Sequence, residues 1–313
     1  MTPLDRDSQT AGGHGDTESS VLRLEHGDLH VRRDGPRGAP ALLLIHGSAT
    51  SGRSWDALVP FLTDAHHVIR IDLPGHGRSA EPADRDYDTS EQARTLGTAL
   101  DRLGVQQVLA VGHSSGGYAV TALAEQRPDL VTAPALVNTG PGMDAFIAPD
   151  GPGIDPARWP PTDDRIRRFA ATGFRAGHPV PQELVDDMRG MTYHAVTAAM
   201  RASTAYLSRQ ALPDRLAVLG KPLLVVFGDQ DRRWRPSSAA DYRAVPGAEV
   251  EMLPGAGHTP ILEEPRRTAD LLLAFAEAHD TGRGAPCPTR PGATQVPRHS
   301  EGPLSRPSHP SRG

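Results

Sequence analysis

VLAVGHSSGGYAV, residues 108–120, carries an apolar run into Gly112-His113-Ser114-Ser115-Gly116-Gly117 and then into a segment with helical spacing. A short apolar run that stops at glycine reads as a buried strand, and the spacing from Tyr118 onward reads as a helix. Between them, Gly-x-Ser-x-Gly puts Ser114 on a strand-to-helix turn too sharp for side chains at its flanks, which Gly112 and Gly116 permit. Such a turn exposes a serine hydroxyl and leaves the N–H of Ser115 at the start of a helix. Of the two serines, only Ser114 has glycine at both minus two and plus two.

The same alternation continues on either side. VLRLEHGD and LHVRRDG read as a β-hairpin, and ALLLIHG, HHVIRIDLPG, ALVNTG, PLLVVFGDQ and AEVEMLPG each hold a compact apolar core that stops at glycine or proline. WDALVPFLTD, SEQARTLGTALDRLG, SSAADYRAV and EEPRRTADLLLAFAEAHD have helical spacing. Strands alternating with helices predict an α/β fold, a mostly parallel sheet of about eight strands with helices on both faces. Residues 140–219 interrupt the rhythm: no strand-like run occurs there, while DRIRRFAATGF, QELVDDMRGMTYHAVTAAMRAS and ALPDRLAVL are helical. A structureless loop of that length is improbable, so the interval is read as a helical insertion capping the edge of the sheet.

The expected organisation is therefore an unstructured segment over residues 1–20, an α/β core over 21–139, and a helical cap with a return helix over 140–219. The core resumes over 220–280 and a disordered Pro/Arg-rich tail follows over 281–313, where large apolar residues are too few to offset chain entropy. The net charge of −5 and pI near 6.3, with spread rather than clustered Lys and Arg, predict no nucleic-acid partner. No h-region and no apolar run of about 18 residues occurs, and Cys287 is the single cysteine, which predicts neither membrane span nor disulfide framework and a cytoplasmic location.

A serine hydroxyl is a weak nucleophile until a base takes its proton, and the base needs an orienting acid. On an elbow of this type the acid and then the base follow the serine in the chain. His258, in MLPGAGHTPILEEP, lies between the last strand and the last helix and is the expected base. Asp231 and Asp229 both follow PLLVVFG; Asp231 lies farther along the loop and is preferred, with Asp229 suited to the turn itself. The oxyanion needs two fixed donors, expected to be the N–H groups of Ser115 and of Ser48, with Ala49 the alternative to Ser48. No phosphate loop or dinucleotide fingerprint is present, and adjacent His66 and His67 cannot share one face of a strand, so neither cofactor nor metal is expected.

HGSAT (46–50), DLPGHGRS (72–79), GHSSGG (112–117), FGDQD (227–231) and GAGHTPILEEP (255–265), in this order and spacing, resemble the α/β-hydrolase superfamily, in its branch with a helical cap between strands six and seven. The resemblance covers residues 20–280 and implies two-step acyl transfer to water by Ser114, His258 and Asp231. Serine at position 114 departs from the superfamily's epoxide hydrolases and haloalkane dehalogenases, which use aspartate there. The absence of HGGG departs from the hormone-sensitive-lipase-like branch, and GHSSG from the GGSWG-like elbow of proline iminopeptidases. What remains is hydrolysis of a small carboxylic ester, lactone or thioester, ahead of carbon–carbon cleavage, acyl transfer, aminopeptidase activity or non-catalytic binding. Trp159, Phe169, Phe174, Met188, Met191, Tyr193, Met200 and Tyr206 are read mainly as cap core, with an apolar pocket lining the alternative; Asp163, Asp164, Glu183, Asp186 and Asp187 as solvated faces or helix starts, with receipt of a substrate amine the alternative; and Arg232-Arg233-Trp234 as a solvated loop, with lining of the entrance beside Asp231 the alternative.

Overall fold

Leu42 and Leu44 point to one side of their strand, Leu43 and Ile45 to the other, and all four are buried. A strand apolar on both faces needs cover on both, which parallel α/β sheets provide. The computed structural model describes residues 17–148 and 155–279 and contains one eight-stranded sheet. Its strands are β1 (Glu18–Leu22), β2 (Leu29–Asp34), β3 (Ala41–Ile45), β4 (His67–Ile71), β5 (Val108–His113), β6 (Val131–Val137), β7 (Leu223–Gly228) and β8 (Ala248–Leu253). They lie in the order β1-β2-β4-β3-β5-β6-β7-β8, antiparallel from β1 through β2 to β4 and parallel from there on.

Eight helices accompany the sheet: α1 (Thr89–Arg102), α2 (Gly116–Gln126), α3 (Asp163–Ala170), α4 (Gln182–Gly190), α5 (Tyr193–Arg209), α6 (Leu212–Leu219), α7 (Pro260–Glu263) and α8 (Pro265–His279). Leu96 and Leu100 of α1, Val120 and Leu123 of α2, and Leu212 and Leu216 of α6 join Leu43, Ile45 and Ile69 in one apolar layer. On the opposite face Leu272 and Phe275 of α8 join Leu42, Leu44, Val68 and Val226. The alternate residues of each strand thus feed two cores, and the sheet is held between them.

Helices α3 and α4 and the first half of α5 form the insertion. Its core, around Ile166, Val185, Met188, Met191 and Val196, packs onto Ala49 of the loop after β3 and Tyr87 of the loop before α1. The cap therefore stands over the carboxyl ends of the parallel strands, not over the edge of the sheet. The second half of α5 returns to the main core, where Tyr206 donates to Glu125 of α2 at 2.9 Å.

Three boundaries differ from the sequence reading. The segment 55–64 forms two 3-10 turns, Gly52–Trp55 and Val59–Phe61, because Pro60 lacks an N–H and disfavours helix at Val59 before it. The long helical stretch 182–203 splits at extended Met191, after which Thr192 caps α5 by accepting from the Ala195 N–H. Strand β1 starts at Glu18, so the last residues of the segment expected to be unstructured are paired with β2. The remainder of that segment, residues 1–16, and the Pro/Arg-rich tail lie outside the described residues.

Candidate active site

Three loops at the carboxyl edge of the sheet bring the expected triad together. Ser114 directly follows β5 with φ +53°, a left-handed conformation that costs a side-chain-bearing residue energy and that the surrounding packing must hold. A Cβ on Gly112 would lie 2.5 Å from the Gly116 backbone, and one on Gly116 would lie 2.5 Å from the Ile45 and His46 carbonyls. Neither position tolerates a side chain, so the tight turn depends on both glycines. Ser114 Oγ is 2.9 Å from His258 Nε2, and His258 Nδ1 is 2.8 Å from Asp231 Oδ2. His258 and Asp231 are buried, at 1% and 5% exposure, which shields their pairing from water.

The Asp231 carboxylate is saturated. Its Oδ1 accepts the N–H groups of Arg233 at 2.7 Å and Trp234 at 3.1 Å, and its Oδ2 also accepts Asn138 Nδ2 at 2.8 Å. Burial pushes this carboxyl's pKa up, but the charge and hydrogen bond of His258 and the bonds from Asn138 and Arg233 outweigh it, leaving the pKa below the ordinary value. Asp229 has a different place: its exposed side chain accepts the Gly255 N–H at 2.7 Å and holds the turn.

The residues expected to supply the oxyanion donors lie at or beside the same cavity. Ser48 and Ala49 line it together with Ser114, while Ser115 caps α2, and Ser48 Oγ donates to Ser115 Oγ at 2.8 Å. Among the described residues, no intrachain hydrogen bond uses the N–H of Ser48, Ala49 or Ser115. The loop is clamped from beneath by fully buried His46, whose Nε2 accepts the Leu73 N–H at 2.9 Å. That contact leaves Nδ1 to donate to the Gly47 carbonyl, 2.8 Å away.

Asn138 and His113 belong to the site without having been singled out for it by sequence, and Arg233, for which lining the entrance is the lesser sequence alternative, belongs to it as well. Asn138 follows β6 in a left-handed conformation that asparagine tolerates, and ties Asp231, the Gly257 carbonyl and the Gly228 N–H to one side chain. His113 donates from Nε2 to the His258 carbonyl at 2.9 Å; burial, then the neighbouring His258, pull its pKa down to about 3 and keep it neutral. Arg233 lines the cavity instead of standing in a solvated loop.

The cavity of about 50 Å³ lies between the Ser114 elbow and the cap. From the cap, Ile166, Phe169, Phe174, Leu184 and Met188 face it, whereas Met191 and Val196 remain in the cap core. Among the described residues, none of the cap's carboxylates lines it. Asp163 and Asp186 pair with Arg189, and Asp187 accepts Ser51 Oγ at 2.7 Å. Among the described residues no three His, Cys, Asp or Glu side chains are grouped to hold a metal ion, and no helix is long and apolar enough to cross a membrane.

A doubly covered sheet with a serine elbow after its fifth strand defines the α/β-hydrolase class of protein. The sequence pattern of the alpha/beta hydrolase family matches residues 42–271, and the chain belongs to that family. It is 26% identical over 272 residues to a Bacillus subtilis (strain 168) protein provisionally named 2-succinyl-6-hydroxy-2,4-cyclohexadiene-1-carboxylate synthase, covering 78% of this chain and 93% of that one. It is 24% identical to the Xenopus laevis monoacylglycerol lipase abhd6-A, covering 79% of this chain and 78% of the lipase. In structure it is similar to the N-acyl homoserine lactonase AidH, with a TM-score of 0.75 at 21% identity over 86% of this chain and 100% of the lactonase.

Proposed function

We propose that this chain is a cofactor-independent serine hydrolase that cleaves a small carboxylic ester, lactone or thioester through an acyl-enzyme. The observation that carries the reading is the continuous relay from Ser114 Oγ through His258 to Asp231, at 2.9 and 2.8 Å. His258 Nε2 takes the Ser114 proton as Oγ attacks the substrate carbonyl, and Asp231 stabilises the imidazolium that forms. The negative charge on the former carbonyl oxygen meets the N–H of Ser115 and that of Ser48 or Ala49. As the tetrahedral adduct collapses, His258 returns its proton to the departing alkoxide or thiolate. A water then loses a proton to the same nitrogen, attacks the acyl carbonyl and releases the acid with Ser114 restored.

The cavity's size favours a short acyl group. The space above Ser114, about 50 Å³, is open on one side, so it favours a compact acyl group without enclosing the whole substrate. Lipase and lactonase relatives act in keeping with this reaction class, and the bound partner is proposed to be a small molecule. The test is labelling by a fluorophosphonate, with the modified peptide found by mass spectrometry. Labelling at Ser114 that disappears in Ser114→Ala is the expected result; a well-folded protein that stays unlabelled would overturn the reading.

A further inference from the structure

Arg233 is a cation without an anionic partner in the wall of the reaction cavity. Its guanidinium donates from Nε to Thr172 Oγ1 at 3.2 Å and from Nη2 to the Phe169 carbonyl at 3.4 Å, and lies 5.1 Å from the centre of the Phe169 ring. All three partners are neutral. Among the described residues no carboxylate lies within ion-pairing distance of it. The nearest charge that acts on it is Asp231, whose own oxygens are already taken by His258, Asn138 and two backbone N–H groups. Desolvation lowers the arginine's pKa and Asp231 raises it, but guanidinium remains charged at any physiological pH.

Arg233 is half-buried, and holding its charge in the cavity wall without a counter-charge costs desolvation that two hydrogen bonds and a ring contact return only in part. A neutral side chain would hold the cap to the Asp231 loop with less desolvation. What a guanidinium adds is planar donors that match a carboxylate. Buried His113 Nδ1 lacks a partner, but it lies beneath the elbow and its neighbours explain its neutrality. The Asp187 carboxylate binds Ser51 and does not line the cavity.

We infer that Arg233 is a specificity determinant that binds a carboxylate carried by the substrate's acyl group, so that the preferred substrates are short hemiesters or hemithioesters of dicarboxylic acids. This rests on the hydrolase reading above and narrows its substrate class. The small volume limits the spacer between the two carboxyl carbons to a few carbons. With the reacting carbonyl at Ser114, the free carboxylate meets the Arg233 fork under the Phe169 side of the cap.

The experiment compares monomethyl malonate, succinate and glutarate with neutral isosteres in which the free carboxylate is a primary amide, measuring kcat/KM by chromatography of the products. In the native protein at least one anionic ester is preferred over its amide, and Arg233→Gln lowers that preference ratio about 10- to 100-fold, the worth of a charge-assisted hydrogen bond. Arg233→Lys restores part of the ratio. A clamp that merely held the cap would lower both members of each pair together, and equal loss overturns the proposal. Absence of any preference for the anion in the native protein overturns it as well. Calorimetric binding of succinate and glutarate separates this failure from failure of the hydrolase reading. Binding by the native protein that Arg233→Gln loses supports the anion site even where fluorophosphonate leaves Ser114 unlabelled. A labelled Ser114 with no dicarboxylate binding rejects the anion site alone.

Discussion

Ser114, His258 and Asp231 are joined by two hydrogen bonds, so losing any one breaks a relay and not a single contact. Ser114→Ala should lower kcat on any accepted ester by roughly 10³- to 10⁶-fold, with at most a small loss of thermal stability, because it gives up one hydroxyl bond to His258 worth about 1 kcal/mol. Steady-state rates on short esters alongside a melting curve check both halves. Asn138 acts through Asp231 and is a positioning residue. Removing its amide in Asn138→Ala takes one donor from the carboxylate and leaves the Gly257 carbonyl and Gly228 N–H without that side chain. A kcat/KM loss of about 10- to 100-fold is expected from a lost bond to a charged acceptor. Asn138→Asp is the discriminating variant: a second carboxylate beside Asp231 favours the protonated imidazole, so the acid limb of the activity profile should move to higher pH. A purely structural role for Asn138 would lower activity at every pH without moving that limb.

Among the polar contacts that attach the cap to the core, one involves a carboxylate whose burial is electrostatically unfavourable. Ser51 Oγ donates to Asp187 of α4, a half-buried carboxylate whose pKa is raised by burial, with Ser51 and His46 pulling the other way and Asp72 adding to the rise. A raised carboxyl pKa means the folded state prefers the neutral form. Stability is therefore lost as pH rises above the ordinary carboxyl value and is fully lost above the raised one. Asp187→Asn keeps an acceptor for Ser51 without the charge. It should melt with the native protein near pH 4 and above it near pH 8, by on the order of 2 °C; a variant that melts lower at pH 8 would show that the charge is needed. Elements of this kind mark how far the sequence is readable. Strands β3 to β8 were legible as compact apolar runs and β1 with β2 as a hairpin, though β1 begins in the polar stretch Glu18-Ser19-Ser20, and the cap was legible because strand signals vanish over residues 140–219. That Ser114, His258 and Asp231 would be neighbours was legible because a serine elbow dictates where a base and an acid would lie. Asn138 was not, since its partner Asp231 is 93 residues away and nothing local in VNTG distinguishes it from a turn residue. Arg233 was read as solvated because a local stretch of charged residues carries no sign that a distant helix, α3, will close over it.

Three histidines buried at the carboxyl ends of the strands bind the whole fold to a pH window. His46 and His76 meet in a tilted ring contact with centroids 5.1 Å apart, His46 and His113 anchor backbone on either side of the elbow, and all three have pKa values lowered first by burial. For His76 and His113 the value falls to about 3. An unfolded chain protonates them near the ordinary histidine value of about 6.5. Between those limits the unfolded state holds protons that the folded state refuses, so folding stability declines as pH falls, by about 1.4 kcal/mol per pH unit for each histidine. For His76 and His113 together, the fall over two pH units is about 5 kcal/mol, comparable with the whole stability of an ordinary domain. Below about pH 4 the depressed carboxyls of Asp72 and Asp231 add to the decline, because their pairing is lost as they are protonated. Acid unfolding with a midpoint above about pH 4 is expected, following a steady loss of melting temperature that begins below about pH 6.5. The shallow part of that curve tests the assignment: His76→Gln removes one of the groups, so its melting temperature should vary less between pH 6.5 and pH 4.5 than that of the native protein. Parallel curves for the two would mean that His76 is charged in the folded state and that the acid sensitivity has another source.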